Sequence, residues 1–292
     1  MKVLLTGASG FIGKHLAEKF EQDGTDYVAI GRNYPDNRKK IRSDLLSSED
    51  LLPILKKVKP THLIHLAWYA EHGKYWESPI NIDWLMATTH LIEAFCQSGG
   101  KHAVVAGTCA EYDWRYGFCV EDLTPLNPGT LYGTAKNTTH SLSRHICNKY
   151  GVGLTWARIF FPYGAGESKE RLIPSLFDVF RIKKQPFGVN AHAYRDLLHV
   201  SDVAEAINLC TTKEAEGAIN ICSGQPLRLE GIVRAVASLF DQSPDDILSM
   251  KSNRVGEPML LVGNNQKLKN LGWEQKISFE DGVQDYLKVG KV

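Results

Sequence analysis

Thr6-Gly7-Ala8-Ser9-Gly10-Phe11-Ile12-Gly13 follows the apolar run Met1 to Leu5 and leads straight into an amphipathic segment, His15 to Phe20. A strand, a turn punctuated by Gly7, Gly10 and Gly13, and a helix start make a place for a dinucleotide pyrophosphate. The glycines suit a tight first turn, a phosphate that approaches bare backbone, and a helix packed close to its strand. Free N–H groups and the dipole at the helix N-terminus, over Ser9, Gly10, Phe11, Ile12 and Gly13, would then hold the anion. Such a turn is weak evidence alone, because glycine-rich turns are common. Its position at the start of the chain and the residues downstream of it strengthen the reading.

Short β-rich runs alternate with helix-length periodic segments: Tyr27 to Ile30, Leu51 to Val58, His62 to Leu66, Trp84 to Cys96, His102 to Ala106. That rhythm predicts βαβ units and a parallel sheet. Leu63-Ile64-His65-Leu66 and Ala103-Val104-Val105-Ala106 barely alternate, as in strands covered on both faces. Gly99-Gly100 is a helix stop. Tyr132 to Lys149 reads as a long helix closed by Gly151, before a strand from Gly153 to Arg158. After Phe161 the texture changes, with Pro162, Gly164, Gly166, Pro174 and Pro186 breaking the chain into shorter pieces. Helical segments remain at Val203 to Cys210, Leu229 to Phe240 and Phe279 to Leu287. The expected organisation is a doubly wound dinucleotide-binding domain over 1–160 and a smaller α/β substrate-binding region over 161–292, partly interleaved with it and closing over the carboxyl ends of the strands.

With 292 residues and 43% hydrophobic content the chain can bury a large core. Its 34 basic and 33 acidic residues leave no global charge for a nucleic acid or an anionic membrane, so anion binding must be local. Cys96, Cys109, Cys119, Cys147, Cys210 and Cys222 form no C-x-x-C pair and no zinc-spaced cluster, so no metal is expected and a reducing, cytoplasmic setting is the simpler reading. The apolar run after Lys2 breaks at Thr6 and is too short for a signal peptide, and no stretch approaches the length of a membrane span.

Tyr132-Gly133-Thr134-Ala135-Lys136 places a phenol and an ammonium on one helical face, separated by about 6 Å of rise. A nearby cation favours phenolate, so Lys136 is expected to lower the Tyr132 pKa and let it exchange a proton with a carbinol or carbonyl oxygen. An ordinary surface pair is the alternative reading, and the glycine turn upstream weighs against it. Thr108 falls at the carboxyl end of the strand from His102, where its hydroxyl can bond the same oxygen; capping a turn is its bland alternative.

Gly7-x-x-Gly10-x-x-Gly13, Asp44-Leu45, His65-Leu66-Ala67, Thr108 and Tyr132-x-x-x-Lys136, in this order, resemble the extended short-chain dehydrogenase/reductases that modify nucleotide sugars. The likeness continues through Arg158 to Gly164, Tyr194 to Val200 and Arg254-Val255-Gly256-Glu257-Pro258, and so covers nearly the whole chain. The resemblance implies a Rossmann-type fold and a homodimer built on the helices at 84–96 and 132–149. It also implies that Asp44 and Leu45 contact the adenine and that Leu66, Ala67 and the adjoining Trp68 border the cofactor. Arg195 and Arg254 would hold the diphosphate of a nucleoside-diphosphate sugar, as guanidinium chemistry allows. Cys109 and Glu111 join Thr108 as candidate substrate-binding residues, with a structural role open for Glu111.

The departures from the family pattern narrow the chemistry. An NAD-preferring member would end its second strand with a carboxylate, roughly 20 residues past the glycine turn. Here stand Gly31-Arg32-Asn33, which relieve repulsion of a 2′-phosphate and offer it a partner, so NADPH/NADP is expected, with NAD the alternative. Family 4,6-dehydratases share a Thr-Asp-Glu run where this chain has Thr108-Cys109-Ala110, so elimination lacks its acid/base pair. A reductase of a 4-keto-6-deoxy sugar remains, beside a 4-epimerase that recycles its hydride and a catalytically idle dinucleotide sensor. Trp68 and Tyr69, where the family usually has small residues, would narrow the pocket against the sugar rotation an epimerase needs.

Overall fold

The computed structural model describes residues 1–34, 39–47, 49–252 and 256–289. β1 (Val3–Thr6) runs through the glycine turn into α1 (Phe11–Asp23), β2 (Tyr27–Gly31) and the short β3 (Lys40–Arg42). There follow α2 (Leu52–Val58), β4 (His62–His65), α3 (Ile80–Gln97), β5 (His102–Thr108), β6 (Phe118–Cys119), α4 (Leu131–Tyr150) and β7 (Gly153–Ile159). Next come β8 (Phe161–Tyr163), α5 (Leu172–Ile182), β9 (Tyr194–Arg195), β10 (Leu197–His199), α6 (Val200–Thr212) and β11 (Gly217–Ile221). The described chain closes with β12 (Leu227–Arg228), α7 (Leu229–Ser238), α8 (Asp245–Leu248), β13 (Leu260–Gly263), α9 (Gln266–Asn270) and α10 (Phe279–Val289).

Seven strands form one parallel sheet in the order β11-β7-β5-β4-β1-β2-β3. The order reverses between β1 and β4, so the turns after these two strands face each other across the crevice where such sheets bind ligands. Helices cover both faces. On one, Leu16 and Phe20 of α1 pack with Val203 and Ile207 of α6; on the other, Leu55, Leu91, Phe95 and Trp156 form the core under α2, α3 and α4. The doubly wound Rossmann-type sheet expected from the sequence is what forms, and it takes its last strand, β11, from beyond residue 160. A separate apolar cluster, including Phe177, Phe180, Ile232, Val236 and Val283, joins α5, α7 and α10.

Two local differences have plain causes. Pro174, read as a break, sits in the first turn of α5, where its missing N–H is no loss. α3 starts at Ile80, behind Pro79, rather than at Trp84, and its first turn buries Asn81. The expected glycine stop is present: Gly99 has φ 90°, and the Gly100 N–H donates to Phe95 O at 3.1 Å. No helix among the described residues is long and apolar enough to cross a membrane.

Candidate active site

The glycine turn is built so tightly that side chains are excluded from it. Gly7 has φ +72°, and a Cβ there would lie 2.8 Å from Ala67 N; a Cβ on Gly13 would lie 2.0 Å from Gly7 O. Gly10 is the N-cap of α1, no side chain caps the helix, and its first turn holds no acidic residue. Orphan N–H groups and the positive helix end therefore remain available to an anion. One groove collects Gly7, Ser9, Gly10, Gly31, Arg32, Asp44, Leu45, Leu66, Ala67 and Trp68, all candidates from the sequence, together with Ile30, Tyr34, Ser43 and Trp84, which sequence reasoning passed over. A Cβ-free cradle at a helix N-terminus, opening into this groove, fits a dinucleotide pyrophosphate. Phe11, Ile12 and Gly13 form the first turn of α1, while Asn33 lies exposed past β2 and outside the groove lining. A second cavity, lined by Ser223, Asn265, Lys269 and Trp273 among others, shares no residue with the groove.

Tyr132, Lys136 and Thr108 converge where β5 ends. Thr130 caps α4 by accepting from Gly133 N at 3.1 Å. Gly133 lets the helix press against the turn after β5, since a Cβ there would lie 2.3 Å from Ala110 O. Tyr132 is thereby half-buried beside Thr108. Burial pushes its phenol well above the ordinary value, opposed first by the Thr108 hydroxyl. This corrects the expected lowering by Lys136, whose ammonium donates instead to Ala106 O at 2.8 Å and stands 3.7 Å over the Trp68 ring. Lys136 is itself 3% exposed, and burial pushes its pKa down to about 7.

An aromatic wall surrounds the phenol, and of its members the sequence singles out Trp68 alone. Tyr75, Trp76 and Trp68 each meet the Tyr132 ring edge to face, at 4.8, 5.9 and 6.5 Å, and Trp114 meets Trp76 at 6.0 Å. Trp68 Nε1 donates to Asn81 Oδ1 and Trp114 Nε1 to Cys109 O, so these two indoles have spent their donors inside the protein. The available signal is density: Trp68, Tyr69, Tyr75 and Trp76 fall within one short loop.

Three substrate-binding candidates are corrected. Glu111 is fully buried, and its carboxylate accepts from Thr108 N at 2.7 Å, Trp156 Nε1 at 2.9 Å and Arg158 Nε at 2.9 Å. It completes a capping box with Thr108, whose hydroxyl accepts from Ala110 N. Its role is structural. Cys109 lies in an apolar cluster with Tyr112, Cys119, Phe160 and Cys222, where burial pushes its thiol up. Arg195 is largely buried and donates to Tyr194 O and Pro258 O, both at 2.8 Å, with Glu257 at 3.4 Å. Its guanidinium thus anchors the segment that follows Arg254; Arg254 lies outside the described residues. The neighbouring Asp196 accepts from Ser223 N, Gly224 N and Gly263 N, tying the β9–β10 junction to the ends of β11 and β13.

Comparison with known proteins agrees with this geometry. The family model described as the NAD dependent epimerase/dehydratase family matches residues 3–222. An Arabidopsis thaliana trifunctional UDP-glucose 4,6-dehydratase/UDP-4-keto-6-deoxy-D-glucose 3,5-epimerase/UDP-4-keto-L-rhamnose-reductase is 24% identical, over 97% of this chain and 46% of that protein. The chain thus spans about half the length of the first curated relatives it matches. A UDP-glucose 4-epimerase of Streptomyces lividans is 22% identical, over 93% of this chain and 91% of that one. Among solved structures, MoeE5 in complex with UDP-glucuronic acid and NAD superposes with a TM-score of 0.83 at 26% identity, covering 98% of this chain and 97% of that one.

Proposed function

The chain belongs to the NAD dependent epimerase/dehydratase family, and from that premise we propose that it is an NADPH-dependent reductase of the C4 ketone of a nucleoside-diphosphate 4-keto-6-deoxy sugar. The observation that carries the reading is the phenol of Tyr132, set between the Thr108 hydroxyl and the aromatic wall, whose Trp68 also lines the glycine groove. Burial favours the neutral phenol, the form that can give a proton to the 4-oxygen. A reduced nicotinamide held in the groove would supply the hydride for C4. Thr108 orients the 4-oxygen, Lys136 holds the ribose, and the wall offers apolar surface that suits the C6 methyl of a deoxygenated sugar.

NADPH is favoured by the end of β2. Gly31 bears no carboxylate and pairs in register with Arg42 of β3, while Arg32 lines the groove. Arg254 is the arginine proposed for the diphosphate, while Arg195 anchors Glu257 and Pro258 beyond it. Exposed Ile82 and Met86 on α3 and Leu142 on α4 suit the homodimer expected on those helices, and six buried thiols suit a reducing cytoplasm.

The test is to incubate the purified protein with NADPH or NADH and a panel of nucleotide 4-keto-6-deoxy sugars, following the loss of nicotinamide absorbance. Consumption of NADPH is expected. Interconversion of a non-keto sugar without consumption marks the NAD-linked 4-epimerase instead, and tight binding with no turnover marks a sensor.

A further inference from the structure

Lys136 is a buried cation with no carboxylate in ion-pair distance among the described residues. Its ammonium donates to the Ala106 carbonyl and stands over the face of Trp68. The indole is fixed from several sides. Its Nε1 donates to Asn81 Oδ1 at 2.8 Å, its ring stacks on Trp84 at 6.1 Å, and its edge meets Tyr132 at 6.5 Å. Asn81 is fully buried and donates through Nδ2 to Tyr75 O and Ser78 O at 2.7 and 2.9 Å, so the amide that aims the indole cannot turn without losing three bonds. Trp68 also lines the glycine groove. One side chain therefore borders the groove, faces the ammonium and touches the phenol.

We propose that Trp68 is the positioning residue of Lys136, its aimed π face holding the ammonium at the edge of the groove by cation–π attraction. That this serves a bound cofactor rests on the reading of the groove above; the Trp68–Lys136 contact itself does not. An aliphatic side chain of similar size would fill the space and attract no charge. Few other groups confuse the readout. Glu111, beyond β5, pulls the lysine pKa back up. His65 of β4 is pushed down to about 3 and His140 of α4 to about 4, while Tyr132 is pushed up and Arg158 is paired with Glu111. None of the three shifted groups titrates near neutrality, where burial has brought Lys136.

The experiment follows Lys136 directly, by NMR titration of protein carrying 13Cε-lysine, with the resonance assigned by its absence in Lys136→Met. Affinity for NADPH is measured across the same pH range. In Trp68→Leu the Lys136 midpoint is expected to fall by about one pH unit and the high-pH loss of NADPH affinity to move with it. In Trp68→Phe, which keeps a π face, the midpoint is expected to stay close to wild type. Equal midpoints in all three proteins overturn the proposal, whether or not a nucleotide binds. A lowered midpoint in Trp68→Leu, with no NADPH or NADH binding to wild type, upholds the Trp68–Lys136 coupling and overturns only the reductase reading.

Discussion

Arg158 and Lys136 are two buried cations that flank neighbouring residues of the same strand, and they are provided for in opposite ways. Arg158 pairs in register with Gly107, while Lys136 donates to Ala106 O. Arg158, 1% exposed, has a carboxylate at 2.9 Å, the Tyr112 hydroxyl at 3.2 Å and the Glu121 carbonyl at 3.4 Å. Lys136 has a carbonyl and a ring. Burying a charge costs several kcal/mol unless it is paired and hydrogen-bonded. A closed, paired cation is scaffold, and here it holds Glu111, which in turn holds the Thr108 backbone. The open one keeps bonding capacity for something that arrives. That is the pattern expected of a functional group.

Substitution should separate the two cations. Arg158→Met leaves Glu111 buried without its cation and is expected to cost ~3–5 kcal/mol, read as a fall of order 10 °C in Tm. A loss near zero would make the two cations alike. Lys136→Met is expected to act with the other sign, stabilising by ~1–3 kcal/mol while ending turnover. The folded-state pKa of Lys136 is lowered to about 7 from 10.5, so the burial cost is present in full below pH 7 and fades as pH rises toward the unfolded value. Urea midpoints should therefore separate variant from wild type most at pH 6 to 7 and converge toward pH 10; a variant less stable than wild type at pH 7 contradicts this.

His65 tests what a second cation beside Lys136 would do. Burial holds its pKa near 3 against an ordinary 6.5, with Lys136 adding to the effect, so stability should fall as pH drops below 6.5, by up to about 1.4 kcal/mol per pH unit. His65→Gln is expected to flatten that acid slope in urea titrations between pH 6.5 and 4, and an unchanged slope assigns it elsewhere. The smallest effect is expected of Thr108→Ala, which loses the cap on the turn after β5 for ~1 kcal/mol. A calorimetric Tm within error of wild type would show that the hydroxyl does not hold the turn.

The glycine turn and the Tyr132/Lys136 pair are readable in the sequence because each is a local geometry, fixed by spacing within one turn or one helix. The parallel sheet is readable for the same reason at β1, β2, β4, β5 and β7, but not at β3, whose Lys40-Ile41-Arg42 carries too little apolar pattern to announce a strand. The surroundings of the pair are not. Trp68 reaches Lys136 from another element, Glu111 finds Arg158 on the neighbouring strand, and the aromatic wall is assembled around α4 from the segment before α3 and the one after β5. A binding role for Glu111 stays open in the sequence because position along the chain cannot tell a carboxylate facing a cleft from one facing a guanidinium. Helical spacing brings Lys136 and Tyr132 to one face, which suggests that the lysine acts on the phenol, yet the carbonyl and the indole, both tertiary neighbours, take the ammonium.

The proposed reaction depends above all on Tyr132 donating the proton as the ketone is reduced. Turnover of NADPH with a nucleotide 4-keto-6-deoxy sugar should fall at least about 100-fold in Tyr132→Phe, with NADPH affinity unchanged. Wild-type-like consumption of NADPH by Tyr132→Phe would contradict it.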